Sequence, residues 1–444
     1  MPKQHKKLSE ADKDLVVWRA AERVQGGAAV ELPRVLRSIV AATKILKERR
    51  IKLVERVEGD TVVFGPIRGH ACDFANILLT KVLPNQRVNN IVFLGNYIDG
   101  AHQSLEVLFL IAALIACSRF HITPLIGKHE MMYPIHPENF GSLRNEMLLC
   151  CARSPKMSLE DCESVIKEFF AVLPIACVVE SKYFCVAGGP ASGFRMLEDM
   201  EARRMTQDSL KEFVLNEPMD EDEERIADGS AFVASQSNEL AFRYTFNAVC
   251  NFLSRNRLGM LIVGMEYHTS RPDYDSFARA NHYKESIYFP GYMLGRIHPE
   301  TQVPAVLTIF SAPAFCGVNR NNACIVEIVD KRLEVQEVSV YAKRPLVTPG
   351  TQDHAFSWAQ PMLERALVAI AREIISGAIK EEAPPESDLR HRRLEEIAKS
   401  KMRRMCQLLQ AHELPLPEVP KLTLDEEVSA PLLTYGATAA KPCE

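Results

Sequence analysis

The chain of 444 residues is long enough to bury a large core, either as one large domain with appended segments or as two domains. Apolar residues make up 47% and charged residues 25%, which are ordinary values for a globular protein. A formal net charge of −4 gives no overall electrostatic signature of nucleic-acid binding. No run of about 18 apolar residues occurs, so the sequence predicts no membrane-spanning helix.

The twelve cysteines are scattered without a Cys-x-x-Cys pair, and several lie in apolar runs, among them Cys117, Cys177 and Cys250. This usage indicates reduced, buried thiols rather than a disulfide framework. The polar residues 1–14 lack the apolar segment of a signal peptide. We therefore expect an intracellular protein, in the cytoplasm or the nucleus.

Two helices are predicted before the first strand. Apolar residues recur at helical spacing over 8–24, and Gly26 and Gly27 end that pattern. A second helix is predicted over 32–47, and its basic end suits a helix C-terminus. We assign residues 1–31 as an N-terminal helical arm.

Three short apolar strands, each followed by a glycine-led polar loop, organise the first half of the chain. Apolar strands that alternate with helices favour parallel pairing in a layered α/β domain. Right-handed crossovers place the loops after such strands on one edge of the sheet, so we expect the three loops to meet. The strands and their loops are 61–64 with 65–69, 91–94 with 95–100, and 122–126 with 127–130.

The remaining elements up to residue 345 mix helices with strands rich in β-branched and aromatic residues. Two strands separated by a short turn predict a hairpin at 173–179 and 183–186. The later strands predict an antiparallel sheet in the second half. The helices are predicted at 73–79, 107–116, within 134–151, and at 159–170, 195–211 and 240–254, and the later strands at 260–263, 288–293, 306–310, 323–328 and 333–341.

The composition changes after Pro345. An amphipathic helix is predicted at 362–379, Pro384 and Pro385 end it, and a long helix follows at 386–412. The final residues contain a proline-rich stretch and many small residues, which predict a partly disordered tail. The predicted segments are an arm at 1–31, a main domain at 32–345, a helical extension at 346–412 and a tail at 413–444.

Several motifs, in the same order, resemble those of the metal-dependent phosphoprotein phosphatase (PPP) family of Ser/Thr phosphatases, above all the type-1 enzymes. GPIRG at 65–69, GNYIDGA at 95–101 and GKHE at 127–130 stand where the family has GDxHG, GDxVDRG and GNHE. LPIACVVESKYFCVAGG at 173–189 and TIFSAPAFCG at 308–317 also resemble family stretches. The resemblance implies the α+β metallophosphoesterase fold, in which helices flank a central β-sandwich. Here helical N- and C-terminal extensions are added to it.

In this family six side chains hold two divalent metals, and the resemblance places every one of them at a residue of another type. Pro66 and Ala187 have no side-chain donor atom, while Arg68 and Lys128 carry positive charge where a ligand must offer a lone pair. We therefore predict that the chain holds no metal pair and no other cofactor. The six positions are Pro66, Arg68, Asn96, Lys128, Ala187 and Tyr267.

Loss of the metals would remove the family's nucleophile, because unbound water has a pKa of about 15.7 whereas metal-bound water has one of about 7. The family's phosphate-binding positions also differ, and here they are Gly100, Leu240 and Phe315. The resemblance therefore implies a catalytically inactive homologue, a pseudophosphatase that serves as a scaffold or regulatory subunit. Two other functions stay open: an atypical phosphatase with residual activity, and a module that binds phosphorylated residues without cleaving them.

Asp99 and His129 match the family's carboxylate–histidine pair, in which the histidine protonates the leaving group. One interpretation is a relict general acid, and the other is a hydrogen bond that only holds two loops together. Glu130 is expected to brace its loop. Arg68 and Lys128 are predicted either to pair with Asp99 and Glu266 or to bind an anion such as a phosphorylated side chain.

Protein partners are expected at two places. In the family a groove beside the strand that matches 333–338 (Leu333 through Val338) docks regulator peptides, although Glu337 stands where the type-1 enzymes have an apolar residue. The helices at 355–412 offer a second surface. Their basic stripe, Arg390 through Arg404, could bind nucleic acid, but its interleaved acidic residues favour a solvated helix face.

Overall fold

A computed structural model describes residues 10–134, 141–153, 157–193, 195–201, 207–219, 223–224, 229–235, 238–264, 287–289, 291–317 and 321–343. The predicted helical extension at 346–412, the tail at 413–444 and the candidate ligand Tyr267 lie outside these residues. Among the described residues, no helix is both long enough and apolar enough to cross a bilayer.

The helices are α1 (Glu10–Gln25), α2 (Leu32–Glu48), α3 (Ala71–Ile77), α4 (Ser104–Cys117), α5 (Lys128–Met131), α6 (Leu143–Arg153), α7 (Leu159–Phe170), α8 (Leu197–Glu201), α9 (Gln207–Leu215) and α10 (Phe246–Asn256). The strands are β1 (Val54–Val57), β2 (Thr61–Phe64), β3 (Asn90–Phe93), β4 (His121–Pro124), β5 (Ala176–Val179), β6 (Tyr183–Val186), β7 (Glu217–Pro218), β8 (Phe232–Ala234), β9 (Phe242–Tyr244), β10 (Met260–Gly264), β11 (Ile287–Phe289), β12 (Tyr292–Leu294), β13 (Val306–Ile309), β14 (Ala323–Val329) and β15 (Arg332–Val338).

Two mixed sheets form the centre of the described part of the chain. One has the strand order β15-β14-β2-β3-β4, with β2, β3 and β4 parallel, and the other has the order β1-β5-β6-β10-β13-β12-β11, with β6, β10 and β13 parallel. Strands β7, β9 and β8 form a small third sheet. Parallel pairing of β2, β3 and β4 places the loops that follow them on one edge, as the sequence predicts.

Strand β3 and the residue after it show how alternate side chains build two hydrophobic cores. Val92 and Leu94 pack between the two large sheets, together with residues of β10 and β13. Ile91 and Phe93 point the other way, into the core that the sheet shares with the helices. Because successive strand residues face opposite sides, a strand buried on both faces reads as a continuous apolar run.

Helix α4 is apolar on every side because it is covered on every side. It packs against α1, α2, α3 and α6 as well as β4. The buried face of α1, with Val17 and Ala21, and that of α2, with Val35 and Ile39, belong to this same core. A helix without a polar face is stable only in such surroundings.

The expected central sandwich with flanking helices is confirmed. The antiparallel pairing predicted for the second half holds for β11 with β12, β12 with β13 and β14 with β15, but it is wrong for β10. Strands β10 and β13 pair in parallel with each other, and β10 pairs in parallel with β6. Strands β14 and β15 join the sheet of the first half, where β14 runs antiparallel to β2. Pairing depends on contacts between distant segments, which the pattern within one strand does not contain. The prediction also missed β1.

Two predicted elements each divide in the structure. The helix predicted at 240–254 is strand β9 followed by α10, and the Thr245 hydroxyl caps α10 by accepting a hydrogen bond from Ala248 N at 3.3 Å. The strand predicted at 288–293 is the hairpin of β11 and β12, with Gly291 at the turn at φ +112°. Both stretches are rich in aromatic residues, which suit either type of element.

Candidate active-site region

The loops that follow β2, β3 and β4 meet, as the sequence predicts, and they are joined through their backbones. The amides of Ile67 and Arg68 both donate to Asn96 O, at 3.1 and 3.0 Å. Gly95, at φ +87°, approaches the third loop so closely that an added Cβ would lie 2.3 Å from Gly127 N. A larger residue at that position would therefore push the loops apart.

Glu130 braces the second and third loops from behind. Its carboxylate is 3% exposed and accepts hydrogen bonds from the backbone amides of Gly127, Asn96 and Tyr97, at 3.0, 2.8 and 2.8 Å. Burial raises the pKa of Glu130 to about 7, although the amide donors oppose this rise. The bracing role predicted for Glu130 agrees with this arrangement.

Asp99 and His129 form the hydrogen bond predicted for them. His129 Nδ1 lies 3.0 Å from Asp99 Oδ2, and Asp99 Oδ1 accepts a second hydrogen bond from Leu143 N at 2.8 Å. Burial lowers the pKa of His129, the bond to Asp99 opposes this, and the positive charges of Arg68 and Lys128 lower it further. The Asp99 carboxylate thus ties the second loop both to the third loop and to the start of α6.

Three of the six candidate ligand positions are built into packing or loop contacts. The Pro66 ring packs at the end of β10, where its Cδ is 3.1 Å from a Cβ built on Gly264. Ala187 is 2% exposed and belongs to the hydrophobic core on the outer face of the seven-stranded sheet, which is turned away from the five-stranded sheet. The Asn96 side-chain oxygen Oδ1 accepts a hydrogen bond from the backbone amide of His129 at 3.2 Å.

The two cations at candidate ligand positions lie in different surroundings. The guanidinium of Arg68 lies 5.5 Å from the centre of the Phe315 ring. Lys128 Nζ lies 3.8 Å from Glu217 Oε1, and the two side chains are 38% and 42% exposed. The predicted pairing of Lys128 with Asp99 is wrong, because Glu217 is its partner, and Glu266 lies outside the described residues.

Of the three candidate phosphate-binding positions, two lie side by side. A Cβ built on Gly100 would be 2.9 Å from the Phe315 ring, so the missing side chain makes room for this aromatic residue. Leu240 is 40% exposed in the turn before β9. Its assignment to a phosphate-binding position of the family stays a prediction.

The donor set does not fit a pair of divalent metals. Such ions need several oxygen or nitrogen lone pairs at short range. Pro66 and Ala187 offer none, and the described residues contain no group of three His, Cys, Asp or Glu side chains that could hold an ion.

Three residues that the sequence analysis did not single out support this region. The Ser311 hydroxyl accepts from Gly65 N at 2.8 Å and donates to Cys324 O at 2.7 Å, which links the first loop to β14. Glu146 on α6 accepts the amides of Ser104 and Leu105 at the start of α4. Glu217, the third, forms the ion pair with Lys128. Each acts through a contact between distant segments, which no local motif reveals.

Comparison with known proteins agrees with this architecture. Residues 59–264 match the calcineurin-like phosphoesterase family. The Ser/Thr-protein phosphatase 2B catalytic subunit A1 of Saccharomyces cerevisiae is 25% identical over 363 residues, which covers 78% of this chain and 60% of that protein. Subunit A2 of the same yeast is 23% identical over 367 residues, covering 75% of this chain and 55% of that protein. The chain thus spans little more than half the length of these relatives.

Among solved structures, a yeast protein Ser/Thr phosphatase with similarity to human phosphatase PP5 has the same fold. Its TM-score is 0.56 at 16% identity, and the match covers 76% of this chain and 98% of that one. The fold and the family match over residues 59–264 indicate a calcineurin-like metallophosphoesterase domain in that part of the chain. The chain is a homologue of the PPP Ser/Thr phosphatases, among which calcineurin catalytic subunits are its relatives.

Proposed function

We propose that this chain is a pseudophosphatase: a Ser/Thr phosphatase homologue without catalytic activity that works as a scaffold or regulatory subunit. The observation that carries the proposal is the chemistry of the positions where the family holds its metals. Pro66 and Ala187 have no donor atom, and Arg68 and Lys128 are cations. Two like charges already stand where two more positive ions would have to bind, so both donor number and electrostatics oppose metal binding.

The polar groups that remain support the same proposal because they are engaged with the protein itself. Asn96 Oδ1 accepts from the backbone of His129, and both oxygens of Asp99 accept hydrogen bonds. These groups hold loops in place, which favours the structural interpretation of the Asp99–His129 pair over the relict general acid. A general acid contributes only when a nucleophile attacks on the other side of the phosphorus.

Elemental analysis combined with a phosphatase assay tests the proposal. The full chain is purified, its Mn, Fe and Zn contents are measured, and release of phosphate from phosphoserine and phosphothreonine peptides is followed with and without Mn²⁺. We expect substoichiometric metal and no Mn²⁺-dependent turnover, with the same baseline for wild type and His129→Ala. Mn²⁺-dependent turnover that His129→Ala abolishes would instead establish the alternative, an atypical phosphatase with residual activity.

A second candidate function, binding of a phosphorylated side chain without cleavage, is favoured by one observation. The positive charges of Arg68 and Lys128 both lower the pKa of His129, so both cations lie near the same imidazole although their other contacts differ. The exposed Lys128–Glu217 pair is weak enough to open for a competing anion. Calorimetry with matched phosphorylated and unphosphorylated peptides tests this: heat confined to the phosphorylated peptide and lost in Arg68→Ala/Lys128→Ala supports it, and no heat removes it.

For partner binding we propose the groove beside β15, which is an edge strand of its sheet. Edge strands present backbone groups to which another chain can pair. Glu337 is exposed on this strand, so Glu337→Lys should reduce capture of a partner from cells, while the exposed Glu48→Lys on α2 serves as the control. Equal capture by both variants would contradict this site. The helices at 355–412 and the stripe from Arg390 to Arg404 remain sequence predictions.

The proposed location is intracellular, cytoplasmic or nuclear. All ten cysteines among the described residues are free thiols, which suits a reducing compartment. Imaging of the tagged full chain in cells tests this part of the proposal.

A further inference from the structure

Two cysteines on neighbouring helices lie close enough to react with each other. Cys151 is in the last turn of α6 and Cys162 is in α7, and their Sγ atoms are 3.8 Å apart. A disulfide requires the sulfurs to approach to about 2.05 Å, which a modest rotation of the two side chains can supply. Helices α6 and α7 are packed together already, so no large movement of the backbone is needed.

The two thiols differ in access, which gives each a distinct role. Cys151 is half-buried, so a small molecule can reach it, whereas Cys162 is 1% exposed. Burial raises the pKa of Cys162 to about 12, and its hydrogen bond and proximity to Cys151 add to this rise. Cys151 is therefore the thiol that meets an oxidant first, and Cys162 is the one that completes the reaction.

We propose that Cys151 and Cys162 are a reversible disulfide pair that cross-links α6 to α7 when the chain meets a small-molecule disulfide such as oxidised glutathione. The Cys151 thiolate, after loss of its proton to solvent, attacks one sulfur of the oxidant. The oxidant's S–S bond breaks, a mixed disulfide forms, and one glutathione leaves as a thiolate that takes up a proton.

In the second step the Cys162 thiolate attacks Sγ of Cys151 and the second glutathione leaves, again taking up a proton. In total the two protein thiols lose two electrons and two protons, and one glutathione disulfide becomes two glutathione molecules. Cys150 precedes Cys151 on the same helix, but consecutive helical residues do not face the same side. Because Cys151 Sγ is the sulfur that lies 3.8 Å from Cys162 Sγ, the reaction is assigned to Cys151.

The cross-link would act on the candidate active-site region because both helices are anchored there. The first residue of α6, Leu143, donates its amide to Asp99, and Glu146 holds the start of α4. At the end of α7, the Phe170 ring packs against Tyr133 with centroids 5.7 Å apart. A covalent bond between the helices would limit local opening of both anchors at once.

The test treats the full chain with oxidised glutathione, blocks remaining thiols with an alkylating reagent in denaturant, and maps peptides by mass spectrometry. We expect a peptide pair linked through Cys151 and Cys162, which dithiothreitol separates. Cys150→Ser should retain the link. Cys151→Ser should leave Cys162 alkylated and free of glutathione.

An internal control comes from a second cysteine pair. Cys177 and Cys185 lie opposite each other on β5 and β6, and both are fully buried, so they should stay reduced throughout. Their oxidation at the same rate as Cys151 and Cys162 would mean that the chain reacts only after unfolding, which would overturn the proposal. A stable mixed disulfide at Cys151, or a main product linking Cys150 to Cys162, would overturn it equally. The wild-type measurement decides the matter even if a variant fails to fold.

Discussion

The three loops have a buried side, the back, and a side that carries the candidate ligand positions, the front. The two sides are stabilised by different interactions. At the back, Glu130 and Asp99 are buried and accept hydrogen bonds from the backbones of neighbouring segments. At the front, Pro66 packs as an apolar group and Lys128 forms an exposed ion pair with Glu217. The loop geometry therefore depends more on the carboxylates behind it than on the side chains of Pro66 and Lys128.

This difference explains how such a fold can lose its ligand side chains without losing its shape. A buried carboxylate that accepts amide hydrogen bonds cannot be removed without leaving those amides unpaired. A half-exposed lysine can be replaced at little cost because water takes the place of its partner. Four measurements test whether the two sides of the loops differ in this way.

The largest effect is expected for Glu130→Ala. It leaves three buried amides without an acceptor, and it should lower the free energy of unfolding by about 4 kcal/mol. Urea denaturation of the full chain measures the change. Lys128→Ala, two residues earlier in the same loop, is the matched control and should cost less than about 0.5 kcal/mol. Similar costs for the two variants would abolish the contrast.

The second measurement restores the family's ligand types in one variant, written P66D/R68H/N96D/K128N/A187H/Y267H. If the hydrogen bonds from backbone amides to the buried Glu130 and Asp99 carboxylates hold the loops in place, the new ligands should meet in space. Mn²⁺ should then stabilise this variant by about 3 kcal/mol at a hundredfold excess over its Kd. Thermal unfolding with and without Mn²⁺ detects the shift, and P66D alone is the control without a complete ligand set. An equal shift in the unaltered chain would contradict the proposed loss of metal binding.

Glu146 should make stability depend on pH. Burial first, and then the charge of Glu106, raise the pKa of Glu146 to about 8, above the usual carboxyl value of 4.5. A pKa that is higher in the folded state stabilises the fold at low pH, and this contribution is lost as pH rises through about 8. The free energy of unfolding should therefore fall by about 3 kcal/mol between pH 5 and pH 8 through this residue.

Glu146→Gln keeps the size of the side chain and removes its titration, so the pH dependence of unfolding should become shallower. The exposed Glu48→Gln leaves every buried carboxyl in place and serves as its control. An unchanged slope in Glu146→Gln would show that the carboxylate is already ionised in the fold, compensated by the amides of Ser104 and Leu105.

The smallest effect concerns His129. Burial lowers its pKa and the nearby positive charges add to this. Lys128 is the smallest of these contributions, so Lys128→Ala should raise the pKa of His129 only slightly. A titration of the imidazole signals by NMR measures this shift. Lys44→Ala, on the exposed surface of α2, should leave the value unchanged. A pKa that does not respond to Lys128 would place that charge too far away to matter.

Local sequence was enough for much of the fold. The run from 159 to 170 gave its helix because Ser158 caps the start, and its hydroxyl accepts from Asp161 N at 3.1 Å. The three glycine-led loops were placed together because parallel pairing puts them on one edge. By contrast, Phe242 to Tyr244 became a strand only because β7 and β8 pair with it, which is a tertiary effect.

For the candidate site, the sequence predicted which positions matter but not what their side chains contact. The Asp99–His129 bond followed from the motif, whereas the Lys128–Glu217 pair joins residues that no spacing rule connects. The Arg68–Phe315 contact also depends on Gly100, whose lack of a side chain leaves space for the ring. Such contacts follow from packing between distant segments.

The hydrogen bonds of Ser311 couple a displacement of one sheet to the other. It is bonded to Gly65 on one side and to Cys324 on the other, and Ser311 N also donates to Pro66 O at 3.0 Å. Sliding one sheet along the other by a single residue would break all three bonds together. A displacement of β14 would therefore be passed through Ser311 both to the first loop and to the segment that follows β13.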